Sequence, residues 1–368
     1  MDLERTRRRV TLLLAAALVA VAATPAAAAG PAKPAGSYTI KGSGASFPAP
    51  AYSYWISKFR SGLPSNVNAN MQYAAVGSGT GISDFRANRT DYGASDAPMT
   101  SSEMSGNGWD TLHVPSMIGA VALGVKLSCV SSLLLTGQNV GDLFSGAITR
   151  WNDPKLRTNG RNAGLASCDV KVTPVHRSDS SGTTYAFTDY LKQSTNSYWR
   201  SRSSLPSKQP SWPTGVGAPR NAGVALKVKS TSGAIGYMEL SYADTAGLIK
   251  ARIQNPRGAF VSPTSSAATA SANAKVSSVP NDLRIDPVIS ANCTACYPIV
   301  SYTFWLVREQ GQASADETSV TLAYFYWGLT TGQNYLASLG YAKLPSSVRT
   351  KAIAQLHKVK VGGNAVWP

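Results

Sequence analysis

Apolar residues along this chain follow two alternating rhythms. Tyr52, Trp55, Ile56 and Phe59 fall at i, i+3, i+4 and i+7, one face of a helix whose first turn suits Pro48 and Pro50. Val67, Ala69, Met71, Tyr73 and Ala75 then take alternate positions, the period of a half-buried strand. A glycine turn over 77–81 follows, and Ile82 and Phe85 begin a second helical stripe. The same order returns later: 171–175 reads as a strand, 177–183 as a turn, and Phe187, Tyr190 and Leu191 as the buried face of a helix. A short strand is predicted at 38–40, ending at Gly42, and the apolar runs 117–125 and 299–307 read as buried strands. Ser314 and Glu317 have the spacing of a capping box opening a helix through Trp327, and Leu344-Pro345-Ser346 opens the last helix. The Ala/Ser-rich stretch 264–278 fits either a loop or a loose helix, and no internal repeat recurs at a fixed period. Strand–turn–helix units in series predict an α/β fold with a largely parallel sheet and sites at the carboxyl ends of its strands.

Composition narrows the class. With 368 residues, 43% hydrophobic and 15% charged, the chain is long enough for two domains with their own cores. Residues 1–29 read as a signal peptide outside the fold: Arg5, Arg7, Arg8 and Arg9 give a basic start, 10–23 is apolar but too short to span a bilayer, and Ala26 to Ala29 offer a small-residue cleavage site. The arginine pairs also fit twin-arginine export. No cysteine follows the apolar run, so a periplasmic or secreted protein without a lipid anchor is expected. Residues 30–37 read as a mobile leader. Net charge is +16, and removing a leader with four Arg, one Asp and one Glu leaves +14. Lys and Arg are scattered and no nucleic-acid motif appears, so a nucleic-acid partner is not expected; the balance suits steering of an anionic ligand.

The even cysteine count in an exported chain suggests two disulfides, with Cys129 paired to Cys168 and Cys293 to Cys296. Cys293-Thr-Ala-Cys296 lacks the second CxxC or His pair of a zinc site, and Pro298 rather than a helix start follows it, against a redox motif. Neither a metal nor a cofactor is expected.

Three Ser/Thr/Gly turns run straight into helical patterns: 44–47 (Gly-Ala-Ser-Phe), 77–81 (Gly-Ser-Gly-Thr-Gly) and 180–183 (Ser-Ser-Gly-Thr). Free N–H groups and the positive end of the dipole make a helix start an anion site. Ser46, Ser78, Ser181 and Thr183 add hydroxyl donors, and Phe47, Gly182 and Thr183 add N–H groups, although each singly is an ordinary cap. Arg177 is the one arginine beside such a turn, and its planar fork suits oxyanion oxygens; a surface arginine is the plain alternative. Asp179 either holds that fork or makes an Asx turn. Asp96, within 93–98 (Gly-Ala-Ser-Asp-Ala-Pro), is by itself a turn or N-cap residue. Together the three turns and Asp96 read as a cage for a small oxyanion that still carries a proton. Near neutral pH phosphate keeps one or two protons and sulfate none, so a buried carboxylate accepts a bond from the first and repels the second. A ligand of about five heavy atoms, at up to ~1.5 kcal/mol per atom, reaches roughly micromolar affinity. G-x-S-x-G, Walker A and G-x-G-x-x-G motifs are absent, so an enzyme is not expected. His176, beside Arg177, leaves a Ser–His pair open; His113 and His357 read as structural or surface residues.

The stretches 42–50, 93–98 and 177–183 together resemble the periplasmic phosphate-binding protein of the bacterial phosphate-specific (Pst-type) ABC transporter. Residues 232–237, 297–304 and 344–348 extend the resemblance, which runs in order from about 38 to 358. It implies a type II periplasmic-binding-protein fold: two α/β lobes, ligand buried between them, and a hinge crossed near 118–119 and 300–301. The implied division is lobe 1 over 38–118, lobe 2 over 119–300, and a return segment to lobe 1 over 301–368. The implied ligand is inorganic phosphate and the implied partner the permease subunits in the inner membrane; a monomer is expected. Carried over by motif, ligand contacts fall on Ser46, Phe47, Ser78, Arg177, Ser181, Gly182 and Thr183, with Asp96 accepting the ligand's proton and Asp179 pairing the arginine. Ser46 stands where many members have Thr, which keeps the hydroxyl, and the glycine turn departs from the commoner Gly-Ser-Ser-Gly-Gly. The cysteine pairs are not general in the family and resemble extra bridges of some related secreted phosphate binders. A secreted phosphatase-like or phosphate-sensing surface protein on the same fold is the alternative function.

Overall fold

The computed structural model describes residues 30–367, and the predicted signal peptide, 1–29, lies outside them. Ten strands form the main sheet: β1 (Gly36–Gly44), β2 (Val67–Ala74), β3 (Tyr92–Ser95), β4 (Thr111–Val125), β5 (Thr173–Arg177), β6 (Val216–Ala218), β7 (Ala234–Glu239), β8 (Ile249–Lys250), β9 (Val288–Ile289) and β10 (Ile299–Arg308). Their order is β2-β1-β3-β10-β4-β7-β5-β6, with β9 added beside β10 and β8 beside β4.

The sheet is mixed rather than largely parallel. Two parallel blocks, β2-β1-β3 and β7-β5-β6, flank an antiparallel centre made of β10 and β4. The reason is topological. Each block is built of strand–turn–helix units, which demand parallel strands, but a chain that leaves one block on β4 and returns on β10 lays those two strands in opposite directions. β4 pairs with β10 through Ala120 and with β7 from Val121 onward, while Gly119 lies opposite Ser301. The fifteen residues of β4 therefore run through both halves of the sheet.

A register shift between Thr303 and Phe304 interrupts the central pair. Pro115, which has no N–H to give a ladder, sits in β4 at that irregularity, where a central strand tolerates it. Ser116 beside it donates to the Thr303 carbonyl at 3.0 Å and accepts from Tyr52 Oη at 2.8 Å.

The predicted helices form as α1 (Ala49–Ser61), α2 (Ser78–Arg86), α3 (Gly182–Gln193), α6 (Ala315–Leu329) and α7 (Ser346–Leu356), and between them lie α4 (Arg220–Ser230), which the sequence reading did not include, and α5 (Ser265–Ala274). The Ala/Ser-rich stretch is helical as α5, capped by the Thr264 hydroxyl, which accepts from the Ala267 N–H. At α6 the Ser314 hydroxyl accepts from the Glu317 N–H, one arm of the predicted capping box. In the first half, Trp305 stacks on Phe325 of α6 at 4.5 Å and on Tyr52 of α1 at 5.6 Å. In the second half, Phe187 of α3 stacks on Tyr237 of β7 at 4.4 Å. Within the predicted leader, Pro31 is buried, and the Ser319 hydroxyl donates to the Ala32 carbonyl at 2.8 Å. Both disulfides form between the paired cysteines, Cys129–Cys168 and Cys293–Cys296. Asn255 Nδ2 donates to the carbonyls of Cys293, Thr294 and Cys296, which makes the CxxC loop a fixed structural turn.

Candidate functional site

The three predicted turns converge at the carboxyl ends of β1, β2 and β5, where each strand hands over to a helix. Glycine makes the approach possible. Gly77 has φ +101°, and a Cβ there would lie 2.4 Å from Asp179 Oδ2. A Cβ on Gly182 would lie 2.7 Å from that of Asp96 and 2.8 Å from the Ala97 nitrogen. Any larger residue at either position would hold the turns apart.

Hydrogen bonds run directly from turn to turn. Ser78 Oγ accepts from the Gly182 N–H at 3.0 Å and from the Asp96 N–H at 3.4 Å, and the Gly79 N–H donates to the Ser180 carbonyl at 3.0 Å. Ser46 Oγ accepts from both the backbone N–H and the Nδ2 of Asn221, at 3.1 and 3.0 Å. A hydroxyl oxygen has two lone pairs and one proton. With both lone pairs engaged, Ser46 and Ser78 are left as donors, which is what an anion requires. Gly182, expected to offer its N–H to a ligand, gives it to Ser78 instead. Ser181 caps α3, its hydroxyl accepting from the Thr184 N–H at 3.1 Å, and its own N–H is held by the Lys208 carbonyl at 2.9 Å.

Arg177 is buried, with 3% of its surface exposed, so it is no surface arginine. Its Nε and Nη2 meet the two oxygens of Asp179 at 2.8 and 2.5 Å, which fixes the plane of the fork and directs Nη1 toward Thr183 Oγ1, 3.4 Å away. Asp179 also accepts from the Arg220 N–H at 2.9 Å. Burial raises its pKa, but the guanidinium and these N–H donors outweigh it and hold the carboxyl below its ordinary value. Tyr237 Oη braces the same turn, accepting from the Arg177 N–H at 3.0 Å and bonding Thr184 Oγ1 at 2.7 Å.

Asp96 is 2% exposed. The local turn is closed by its neighbour, since Ser95 Oγ accepts from the Ala97 N–H at 3.1 Å, and the Asp96 carboxylate is free to face inward. Its Oδ1 accepts from Thr303 Oγ1 at 2.8 Å and its Oδ2 from Thr183 Oγ1 at 3.3 Å. Burial pushes its pKa up to about 7, against the opposing pull of Thr303, Arg177 and Thr183.

Three contributors were not read from the sequence. Asn221, fully buried at the start of α4, touches Ser46, donates to Thr183 Oγ1 at 3.3 Å and accepts from the Glu239 N–H at 2.9 Å. It belongs to a fourth strand-to-helix turn, Ala218-Pro219-Arg220-Asn221, whose signal was Pro219 just ahead of a helical stripe. Thr303 sits in a continuous apolar strand, where one hydroxyl gives no periodic signal. Glu239 is fully buried, its pKa raised to about 8 by burial, with Oε2 accepting from Ser241 N–H at 2.9 Å and from Tyr341 Oη at 3.0 Å. Tyr341 Oη also reaches the Phe47 carbonyl at 2.7 Å, holding the first turn in place.

The remaining histidines have other work. His176 stacks on Trp212 with ring centroids 5.1 Å apart, and its Nδ1 faces the Arg177 carbonyl at 3.1 Å, so the Ser–His pairing left open by the sequence does not form. His113 is buried and accepts from the Met99 N–H at 3.0 Å. Among the described residues, no group of three or more His, Cys, Asp or Glu is placed to hold a metal ion.

The assembled chemistry is a set of aligned donors around one guanidinium, with a single buried acid among them. Known proteins share the frame. A model of the PBP superfamily domain matches residues 27–327. The chain is 36% identical over 315 residues to the phosphate-binding protein PstS of Xylella fastidiosa strain 9a5c, covering 85% of this chain and 83% of that one. It is 33% identical over 320 residues to the PstS of Pasteurella multocida strain Pm70, covering 86% and 89%. A solved high-affinity periplasmic phosphate-binding protein, PfluDING, bound with phosphate, has the same two-lobed fold with a TM-score of 0.67 at 21% identity, over 88% of this chain and 96% of that one. The chain belongs to the PBP superfamily and, within it, to the PstS phosphate-binding protein family.

Proposed function

We propose that the protein is the periplasmic phosphate receptor of an ABC importer, closing on inorganic phosphate and delivering it to a membrane permease. Lobe 1 comprises 38–118 and the return segment 301–368, lobe 2 comprises 119–300, and the hinge lies where β4 changes partners beside Ser301. Ser46, Phe47, Ser78 and Asp96 meet the ligand from lobe 1. Arg177, Ser181 and Thr183 meet it from lobe 2, with Gly182 bracing Ser78 through its N–H rather than touching the ligand, and Asp179 orients the arginine. Because contacts come from both lobes, ligand binding favours the closed form by as much as those contacts differ between open and closed states. The exported protein works by binding alone, without turnover.

One observation carries this reading: a buried carboxylate, Asp96, faces the Arg177–Thr183 turn rather than a cation of its own. Among donors suited to an anion, such an acid is tolerable only where the anion or the acid brings a proton. The test is calorimetry on protein freed of ligand by partial unfolding and dialysis. Phosphate binding at micromolar affinity or tighter is expected, with sulfate weaker by at least about a hundredfold at pH 8. Equal affinity for both anions would overturn the assignment. A chromogenic phosphoester hydrolysed at a rate that follows the protein through repeated purification would favour the phosphatase-like alternative.

A further inference from the structure

Among the described residues, one ion pair joins the two halves of the sheet. The others link residues at most 19 apart in sequence: Arg89–Asp84, Arg150–Asp169, Arg177–Asp179, Lys250–Asp244 and Arg284–Asp282. The exception is Lys208 with Glu103, 105 residues apart, Nζ lying 2.5 Å from Oε1 and 2.7 Å from Oε2. Both side chains are largely covered, at 11% and 25% exposure.

Lys208 is anchored to the Ser181 turn, and Glu103 follows the Asp96 turn closely in the chain. The Lys208 carbonyl accepts from the Ser181 N–H at 2.9 Å, and neighbouring Ser207 exchanges two hydrogen bonds with Thr188 of α3, at 3.0 and 3.1 Å. Glu103 lies on the short helix Ser101–Met104, the first after Asp96, and its Oε2 accepts from the Thr100 N–H at 2.8 Å. The Thr100 hydroxyl in turn accepts from the Glu103 N–H at 3.1 Å, so this capping box fixes the carboxylate's position. A rotation that opens the cleft must separate this pair and return both charges to water.

We propose that Glu103 and Lys208 form a latch across the cleft that sets how long the closed lobes retain their ligand. The proposal rests on the phosphate-receptor reading. The latch exists only when the lobes are shut, so it lowers the rate of opening more than it raises the rate of encounter. Surface ion pairs are usually worth little and are screened by salt. This one is mostly covered, and the capping box already holds the Glu103 carboxylate, so less side-chain freedom is lost at that end.

Stopped-flow release of phosphate into a large excess of a phosphate trap tests the latch, using Glu103→Gln, Lys208→Met and the double variant. Gln keeps an acceptor for the Thr100 N–H, and Met keeps an apolar stem, so both variants should fold. Each single change is expected to raise the release rate about three- to tenfold and leave the association rate within about twofold. The double variant should release no faster than the quicker single, because either change alone already breaks the pair. At about 0.5 M salt the wild-type rate should approach that of the variants. Release rates unchanged in both singles, or singles whose effects multiply in the double, would overturn the latch while leaving the receptor reading intact. Wild-type protein that does not bind phosphate would overturn both.

Discussion

Asp179, in the turn after β5, faces the Arg177 fork and the Arg220 N–H, whereas Asp96, in the turn after β3, faces two threonine hydroxyls. The first carboxyl is held below its ordinary pKa and the second is pushed up to about 7. Both are carboxylates within the reach of one guanidinium, so the difference lies first in burial, deeper at Asp96, and then in who holds the cation. Asp179 takes Nε and Nη2 head-on, which fixes Arg177 and tempers its charge, and Asp96 receives the weaker, longer-range share. An acid so placed titrates near neutrality. The proton between Asp96 and an oxyanion can then come from either partner: ionised Asp96 suits protonated phosphate, and protonated Asp96 suits an anion with no proton to give. If Asp96 meets the ligand as proposed, discrimination against sulfate should depend on pH and be strongest where Asp96 is ionised.

Removing the cation should have the largest effect. Arg177→Ala deletes a charge-assisted donor and leaves the Asp179 carboxylate without its partner. Since such bonds contribute about 1.5–3 kcal/mol each, phosphate affinity should fall by at least about a hundredfold by calorimetry. An affinity within about fivefold of wild type would remove Arg177 from the binding set.

Asp96→Asn comes next. Phosphate affinity should drop about tenfold, near 1.4 kcal/mol, and sulfate should bind at pH 8. In the wild type, sulfate affinity should grow as pH falls through about 7, where burial places the Asp96 titration, while phosphate binding persists above it. The same group acts on stability. Its folded pKa exceeds the unfolded value of about 3.9, so the folded chain binds the extra proton, and unfolding free energy falls with rising pH between about 4 and the Asp96 titration near 7. Glu239, raised to about 8 by burial, contributes in the same direction over a slightly higher window. Ligand-free Asp96→Asn should therefore melt above wild type at pH 8 and match it more closely at pH 5. A wild-type melting curve with the same slope against pH as the variant would show that Asp96 does not titrate there.

Much of this contrast was legible in the sequence. Turns announce themselves because Gly, Ser and Thr at a strand-to-helix junction have few other uses, and Arg177 and Asp179 are two residues apart on one of them. The central antiparallel pair was not legible, because two buried apolar strands read alike whichever way they run; only the crossing of the chain between halves sets their direction. Asn221 was missed for a related reason. Its turn lacks the Ser/Gly signature, and its contact with Ser46 spans 175 residues. Thr303 carries no periodic signal of its own: it matters because β10 brings it beside Asp96 in space.

Thr303 also offers the finest test of the contrast between the two aspartates. Its hydroxyl donates to Asp96 Oδ1 at 2.8 Å from β10 and favours the ionised acid. Thr303→Val keeps the shape and suits a strand, but removes the donor, so the Asp96 pKa should climb further. Phosphate affinity should change by no more than about threefold, since the anion can still share its proton with the acid. Sulfate should instead bind up to a higher pH than in the wild type, the midpoint of its pH dependence moving toward the alkaline side. A midpoint that stays in place would mean that burial alone sets the Asp96 titration and that Thr303 merely fills space beside it.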